Sequence, residues 1–193
     1  SMQIRNLLVA RRTNFDQFVG INAGKTVHNG AELALNYLIL NQNNFQIKAF
    51  SSYTLALYRF KEFVDGEEDY SGNQLTGTPP HTFNAGLDIT TKPGLYAHIN
   101  YLFVDAMPMR DDNSVYTQAY SVINTKIGFR KNLLQRFEFD LSGGINNLND
   151  AHYAGMILVN AGSFGNQAPR YYYPGLPRNF YGRLTLSWIF SKN

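Results

Sequence analysis

The chain has no cysteine, which removes disulfide frameworks and any metal or redox site built on thiolates. It also lacks a run of about 18 apolar residues, so no transmembrane helix is expected. Charge is scarce: charged residues make up 16%, where a soluble domain carries roughly a quarter. Net charge is only +3, and cations adjoin one another only at Arg11-Arg12 and Arg130-Lys131. That is too little and too scattered for a nucleic-acid interface. The four histidines, His28, His81, His98 and His152, share no ligand spacing, so neither a metal site nor another cofactor is expected. Residues 65–70, "DGEEDY", lack the ordered ligand spacing of a calcium loop. They read as a solvated external loop, as do Asp111 and Asp112. Ser114 and Ser163 have no paired His and Asp motif, and no sequence basis for catalysis emerges.

Aromatics, by contrast, are abundant at 15% of 193 residues. Strand-like segments recur, and the spacers between them alternate in length. Residues 31–40 and 45–60 flank an Asn-rich turn at 41–44; 82–91 and 95–105 flank Lys92-Pro93-Gly94; 120–130 and 137–147 flank a short link at 131–135. Between these hairpins lie longer polar stretches at 63–80, 106–118 and 148–178, the last leading into a closing strand over 180–190. With one more strand at 3–12 the pattern predicts an all-β antiparallel up-and-down meander of about eight strands, each of about ten residues. Such a meander puts every short turn at one end and every long loop at the other, the asymmetry of outer-membrane barrels.

Each strand has one apolar side. Phe137, Phe139, Leu141, Gly143 and Ile145 alternate with Glu138, Asp140, Ser142 and Gly144; Leu184, Leu186, Trp188 and Phe190 alternate with Arg183, Thr185 and Ser187. Alternation alone admits a soluble sandwich or lipocalin-like barrel with these faces turned inward, which would bind a small apolar ligand. A barrel enzyme is a third reading, without a clustered nucleophile and base to support it. Three features favour a transmembrane barrel. Aromatics gather at strand ends, with Phe45, Phe129, Phe137, Trp188 and Phe190 toward the short turns. Tyr58, Phe60, Tyr101, Phe103, Tyr120 and Phe180 lie toward the long loops. The polar sides carry both signs, Glu32, Lys48, Asp88, Lys126, Arg130, Glu138, Asp140 and Arg183, as a wet lumen permits. Strands near ten residues fit a tilted hydrocarbon span. On this reading Leu184, Leu186, Trp188 and Phe190 face lipid and those eight charges face the lumen. Gly143-Gly144 predicts a bulge or tight bend, and His98 a lumenal hydrogen bond.

Four stretches carry a resemblance: "NAGKTVHNGAELAL" (22–35), "LTGTPPHTFNAGL" (75–87), "GGINNLNDAHY" (143–153) and "YPGLPRNFYGRLTLSWIF" (173–190). In this order they resemble the C-terminal part of a TonB-dependent outer-membrane receptor, with the closing Pro-Gly-x-Pro-Arg strand most similar to receptors for iron complexes. The resemblance implies that residues 1–193 supply the last eight or so strands of a barrel of about 22, the plug domain and earlier strands lying outside this sequence. It implies an outer-membrane location, a plug and TonB as partners, and an imported nutrient such as a ferric siderophore. Arg170, Tyr171, Tyr172 and Tyr173 are the candidate ligand-binding residues, since tyrosines offer rigid amphipathic surface and an arginine pairs with an anionic chelate. The alternative for the same tyrosines is the interfacial belt. Two open strand edges, at 3–12 and 180–190, are expected to pair with each other in a small closed barrel or with another chain.

Overall fold

The computed structural model describes residues 1–6, 8–14, 17–22, 24–133, 136–163, 165, 167–188 and 190. Its strands are β1 (Met2–Arg5), β2 (Leu8–Asn14), β3 (Gln17–Asn22), β4 (Lys25–Gln42), β5 (Phe45–Glu62), β6 (Val64–Asp65), β7 (Glu68–Asp69), β8 (His81–Thr91), β9 (Leu95–Val104), β10 (Tyr120–Leu133), β11 (Phe137–Asn146), β12 (Ala154–Ile157), β13 (Tyr172–Pro174) and β14 (Asn179–Trp188). Eight form one antiparallel sheet in the order β1-β4-β5-β8-β9-β10-β11-β14; β2-β3, β6-β7 and β12-β13 are separate two-stranded ribbons. Among the described residues no helix is long and apolar enough to cross a membrane.

Turns and loops segregate as the spacing predicts. The two-residue turn at 43–44 and the Lys92-Pro93-Gly94 turn close one end of the sheet. The link expected at 131–135 is partly strand, because β10 runs on to Leu133; residues 134 and 135 lie outside the described residues. At the opposite end sit all three small ribbons, inserted in the connections β1 to β4, β5 to β8 and β11 to β14.

The strand expected at 3–12 is two strands. Asn6 adopts the left-handed conformation (φ 58°) and donates its N–H to the Gly24 carbonyl at 2.7 Å. The chain therefore turns out of the sheet after Arg5, and β2 pairs with β3 instead of β4. Gly24 is itself required: it has φ 64°, and a Cβ there would meet the Glu62 carbonyl oxygen at 2.1 Å. β1 and β14 are the two edges of an open sheet, so among the described residues the expected closure of one edge on the other does not occur within one chain. Among the described residues the apolar side of the sheet stands open, with Leu35 at 56% and Leu184 at 58% exposure, instead of turned inward as a self-contained apolar-ligand barrel requires.

β4 and β5 have 18 residues each, so β4 is much longer than the expected 31–40 and β5 runs two residues past the expected 45–60. Pairing of β5 with β8 stops at Leu55 opposite His81, so residues 56–62 of β5 project past the neighbouring strand. Their edge is not left open. Loop residues return along it, with Ala56 N–H to Pro80 O at 2.9 Å, Leu75 N–H to Tyr58 O at 2.8 Å and Phe60 N–H to Asn73 O at 2.9 Å. An edge saturated in this way does not recruit another chain. Phe60 and Phe63, each 1% exposed, pack together beneath Tyr70 and Leu75 and hold the loop down. Two residues expected in the aromatic belt therefore belong elsewhere: Phe60 and Tyr58 lie on the polar side of β5, where Phe60 is loop core. Tyr120 is a third, on the polar side of β10 and stacked on Tyr153 at 4.8 Å.

Gly143-Gly144 make no bulge, since β11 keeps unbroken register with both neighbours. The glycine at 144 makes room for a ring. Its cross-strand partner is Tyr181, and a Cβ there would stand 2.5 Å from the Tyr181 hydroxyl. Gly86 lies likewise under its partner Phe50, and Gly128 under its partner Tyr96. All three pairs are on the polar side. An aromatic laid over a glycine restores the packing that the glycine forfeits and pins register. In Gly86→Val the added atoms meet Phe50 Cζ at 2.3 Å and the Ile99 carbonyl oxygen at 2.4 Å. Urea unfolding in detergent should show a loss of about 1–3 kcal/mol, whereas Gly182→Ala, with nothing within 4 Å, should stay within about 0.5 kcal/mol of the parent.

Candidate functional site

Two regions concentrate polar chemistry: one side of the main sheet and the cluster of long connections at its end. Register places Glu32, Lys48, Asp88, Lys126, Arg130, Glu138, Asp140 and Arg183 on a single side. Lys48 stands opposite Asp88, Asp88 opposite His98, His98 opposite Lys126, and Arg130 opposite Asp140. The opposite side is apolar and open, with Leu184, Leu186 and Trp188 at 58%, 57% and 59% exposure. Phe190 is exposed but lies beyond the end of β14.

Neighbouring strands turn this charge pattern into pairs. His98 Nδ1 and Asp88 Oδ1 are 2.7 Å apart, and Asn100 donates to Asn84 at 2.6 Å. Asp140 is the most enclosed charge: it accepts the Tyr96 hydroxyl at 2.7 Å and two Arg130 nitrogens at 2.7 and 2.8 Å. Lys126 and Arg130 both lie over the Tyr96 ring, 5.3 and 5.5 Å from its centroid. Tyr96, His98, Lys126 and Arg130 line a groove of about 570 Å³ near the short-turn end.

The connections at the other end are knotted together. Asp111, expected in a solvated loop, is 8% exposed. One of its oxygens accepts the Thr76 hydroxyl; the other accepts Asn160 Nδ2 at 2.7 Å, while its own N–H donates to Asn160 Oδ1 at 3.0 Å. Asn113 faces Gln74 in a reciprocal pair, its Oδ1 accepting the Gln74 N–H at 2.8 Å and its Nδ2 donating to the Gln74 carbonyl at 3.0 Å. The described residues of segments 63–80, 105–119 and 147–178 are thus tied to one another by hydrogen bonds. Asp112 has a different partner set. Burial disfavours its charge, but the Ser114 hydroxyl and N–H, with the Arg110 cation, outweigh that and hold the carboxyl below its usual range. "DGEEDY" forms the exposed tip of β6-β7, apart from Tyr70, which packs edge-on against Phe63.

A second clasp closes the base of the longest connection. Asn147, 2% exposed, donates Nδ2 to the carbonyls of Ala151 (2.9 Å) and Leu176 (3.1 Å), and its Oδ1 accepts the Ala151 N–H at 2.8 Å. Asn149 spans to β10 through Ile123 N–H and Ser121 O, and Asp150 accepts the Arg178 N–H at 3.0 Å. The two motif stretches "NNLND" and "PGLPR" are therefore the two halves of one structural fastener. Of the ligand-binding candidates, Tyr171 is half-buried, and its hydroxyl, interacting with Arg110, raises the Arg110 pKa. Tyr172 and Tyr173 form β13 beside β12 and are exposed, as is Arg170. Tyr172 also borders a cleft of about 400 Å³ with Tyr116, His152 and Tyr153. The bridging roles of Asp111, read as solvated, and of Asn113, Asn147 and Asn160 escaped the sequence reading. Their signal was asparagine in loops, because Asn113, Asn147 and Asn160 all take left-handed φ of 52–54°, which asparagine tolerates and supports with local hydrogen bonds.

Residues 1–148 match the family model described as TonB dependent receptor-like, beta-barrel. The chain belongs to the TonB-dependent receptor β-barrel family. Among solved structures it is similar to the siderophore receptor PiuA from Acinetobacter baumannii, with 19% identity, a TM-score of 0.64 and coverage of 86% of this chain and 22% of that one. For the ferric yersiniabactin uptake receptor FyuA from Yersinia pestis the figures are 17%, 0.67, 97% and 26%. The ferric-catecholate import receptor Fiu from E. coli K12 gives 21%, 0.62, 96% and 24%. The chain thus spans about a quarter of the length of the solved receptors it matches, and the likeness is one of fold: an antiparallel segment of a transmembrane receptor barrel.

In this TonB-dependent receptor segment the Asn147 clasp has a measurable share in loop order. Asn147→Ala removes three side-chain hydrogen bonds, two to the half-buried Ala151 and one to the Leu176 carbonyl, at about 0.5–1.5 kcal/mol for each. Limited proteolysis should then cut within residues 147–178 at least tenfold faster than in the parent, with the strands still protected.

Proposed function

We propose that this chain is the C-terminal wall segment of an outer-membrane TonB-dependent receptor that imports a scarce nutrient, a ferric siderophore or a similar iron complex. The observation that carries the reading is segregation in two directions at once. Eight charges occupy one side of the sheet and an exposed apolar surface the other, while every long connection lies at one end. A bilayer wall needs an apolar exterior, a lumen tolerates charge, and a receptor needs an elaborated outer rim. On this reading Glu32, Lys48, Asp88, Lys126, Arg130, Glu138, Asp140 and Arg183 face the lumen, where a plug domain rests. Import would draw on TonB through that plug, in the full-length protein, and the segment itself carries no catalytic role. In isolation, the β1 and β14 edges pair with a second copy.

The ligand reading has separate support. PiuA, FyuA and Fiu are a siderophore receptor, a ferric yersiniabactin receptor and a ferric-catecholate receptor by name. Here, exposed Arg170, Tyr172 and Tyr173 stand on a rim made rigid by the Asp111 and Asn147 networks. A cation beside aromatic surface suits a bulky anionic chelate, and Tyr171 acts as the anchor that ties this strip to Arg110.

Trp188 is the single tryptophan, which makes the wall assignment directly testable. In vesicles of lipid brominated on the acyl chains its fluorescence should fall strongly, with aqueous iodide having little effect; the opposite result would sink the membrane reading. For the ligand, full-length receptor carrying Arg170→Ala should need about tenfold or more iron complex for half-maximal uptake, as expected for the loss of a charge-assisted hydrogen bond. Unchanged half-saturation would remove Arg170 from the binding site.

A further inference from the structure

The apolar side of the sheet is not uniform. Across strands β4, β5, β8 and β9, register lines up Leu35, Ser51, Ala85 and Tyr101 in one row and Tyr37, Ala49, Leu87 and Ile99 in the next. Small residues thus cluster at the middle: Ser51 is opposite Ala85 in the first row, and Ala49 adjoins them in the second, opposite Leu87. Larger side chains surround them. Toward the long loops the bounding row is Leu33, Tyr53, Phe83 and Phe103; toward the short turns it is Leu40, Ile47 and Ile89, with the small Ala97 at its β9 end. The result is a depression of about 500 Å³ with an almost wholly apolar lining. Its long axis crosses four strands, about 14 Å at the usual strand spacing.

The walls stand free. Tyr37 is 70% exposed and Leu35 56%, so they define the depression without closing it. Behind the floor, Phe50 lies over Gly86 on the polar side of the sheet, so the floor is backed by a ring and not by the lumenal groove. Of the side chains around the floor only Ser51, Tyr37 and Tyr101 carry a polar atom.

The surrounding surface decides what fills such a site. The depression is continuous with the apolar exterior of a transmembrane barrel wall, which lipid chains solvate. A peptide would bring backbone N–H and C=O groups into hydrocarbon with almost nothing to pair them, at several kcal/mol per orphaned group. A lipid headgroup would meet the same deficit. A flexible hydrocarbon chain loses nothing there and gains dispersion contacts on a floor and two walls, contacts that a flat wall offers on one side only. We propose that the Ser51–Ala85–Ala49 depression is a specific seat for one acyl chain of a bilayer lipid, held between Leu35 and Tyr37 on one side and Ile99 and Tyr101 on the other. This rests on the apolar side facing the bilayer. Just above the seat the Tyr53 hydroxyl lies 2.7 Å from His81 Nδ1, a polar pair on the same side, between the seat and the long-loop end.

The test compares two variants with equal added volume. Ala49→Leu/Ala85→Leu fills the depression, whereas Ala31→Leu/Ala97→Leu adds the same atoms to the same apolar side outside it. Each chain is extracted from vesicles, washed in detergent and weighed intact by native mass spectrometry. The parent and the outside double variant should each retain one lipid per chain, and the filled variant at least tenfold less. Ser51→Leu, a single change, should give the same loss and serves if the filled double variant does not insert. Equal retention by both double variants, or none by the parent, would overturn the seat and leave only annular contact. Quenching of Trp188 by brominated lipid is recorded on every sample. If it persists while retention is indifferent to filling, the seat fails and the wall assignment stands; if it is absent, the wall assignment itself has failed.

Discussion

The main-chain hydrogen bonds between adjacent strands are the constraint on which everything else in this molecule depends. Once register is fixed, period-2 alternation sends every side chain to one side or the other, and a slip of one residue would exchange the two completely. Among the described residues the sheet does not rest on a large buried hydrophobic core: its buried apolar cluster is the small Phe60–Phe63 group under a loop. Specificity of register falls instead to the ring-over-glycine pairs Phe50–Gly86, Tyr96–Gly128 and Tyr181–Gly144 and to ion pairs such as Arg130–Asp140. These sit on the polar side, where side chains still have chemistry with which to choose a partner. On the apolar side one hydrocarbon contact is much like another.

The strands and their faces were legible in the sequence because alternation is a local signal. Six of the eight expected strands appear within about three residues of their expected ends, while β4 begins at Lys25 instead of residue 31 and the strand expected at 3–12 divides into β1 and β2. The failures share a cause, which is information held by a distant residue. Nothing near Asn6 shows that Gly24 will accept its N–H and turn the chain aside. Phe60 and Tyr120 look like belt residues until the strand continues, in one case past its neighbour, and a loop folds over the polar side. Gly143-Gly144 reads as a bend because the ring that occupies the space belongs to Tyr181.

The candidate site was legible in part. The exposed Tyr172–Tyr173 strip and Arg170 could be singled out by residue type, but the framework holding them could not. Asp111 looked solvated beside Asp112, yet the two carboxylates have opposite surroundings: one is enclosed by Thr76 and Asn160, the other turned to Ser114 and Arg110. The family motifs around Asn147 and Pro174 were visible as motifs. Their purpose was not, because the atoms that meet are about 30 positions apart in the chain, as with Asn147 and the Leu176 carbonyl.

The bridging asparagines have a mechanical consequence. Three connections that could each wander separately share fasteners at Asp111, Asn113 and Asn160, so the rim has far fewer independent motions than its length suggests. A guest touching Tyr172 does not have to immobilise a floppy segment, an ordering penalty of roughly 1–2 kcal/mol per residue. Conversely, a guest that pulls Asn160 from Asp111 loosens its hold on Thr76 as well, and a disturbance at one rim segment is felt at its neighbours without any movement of the wall beneath.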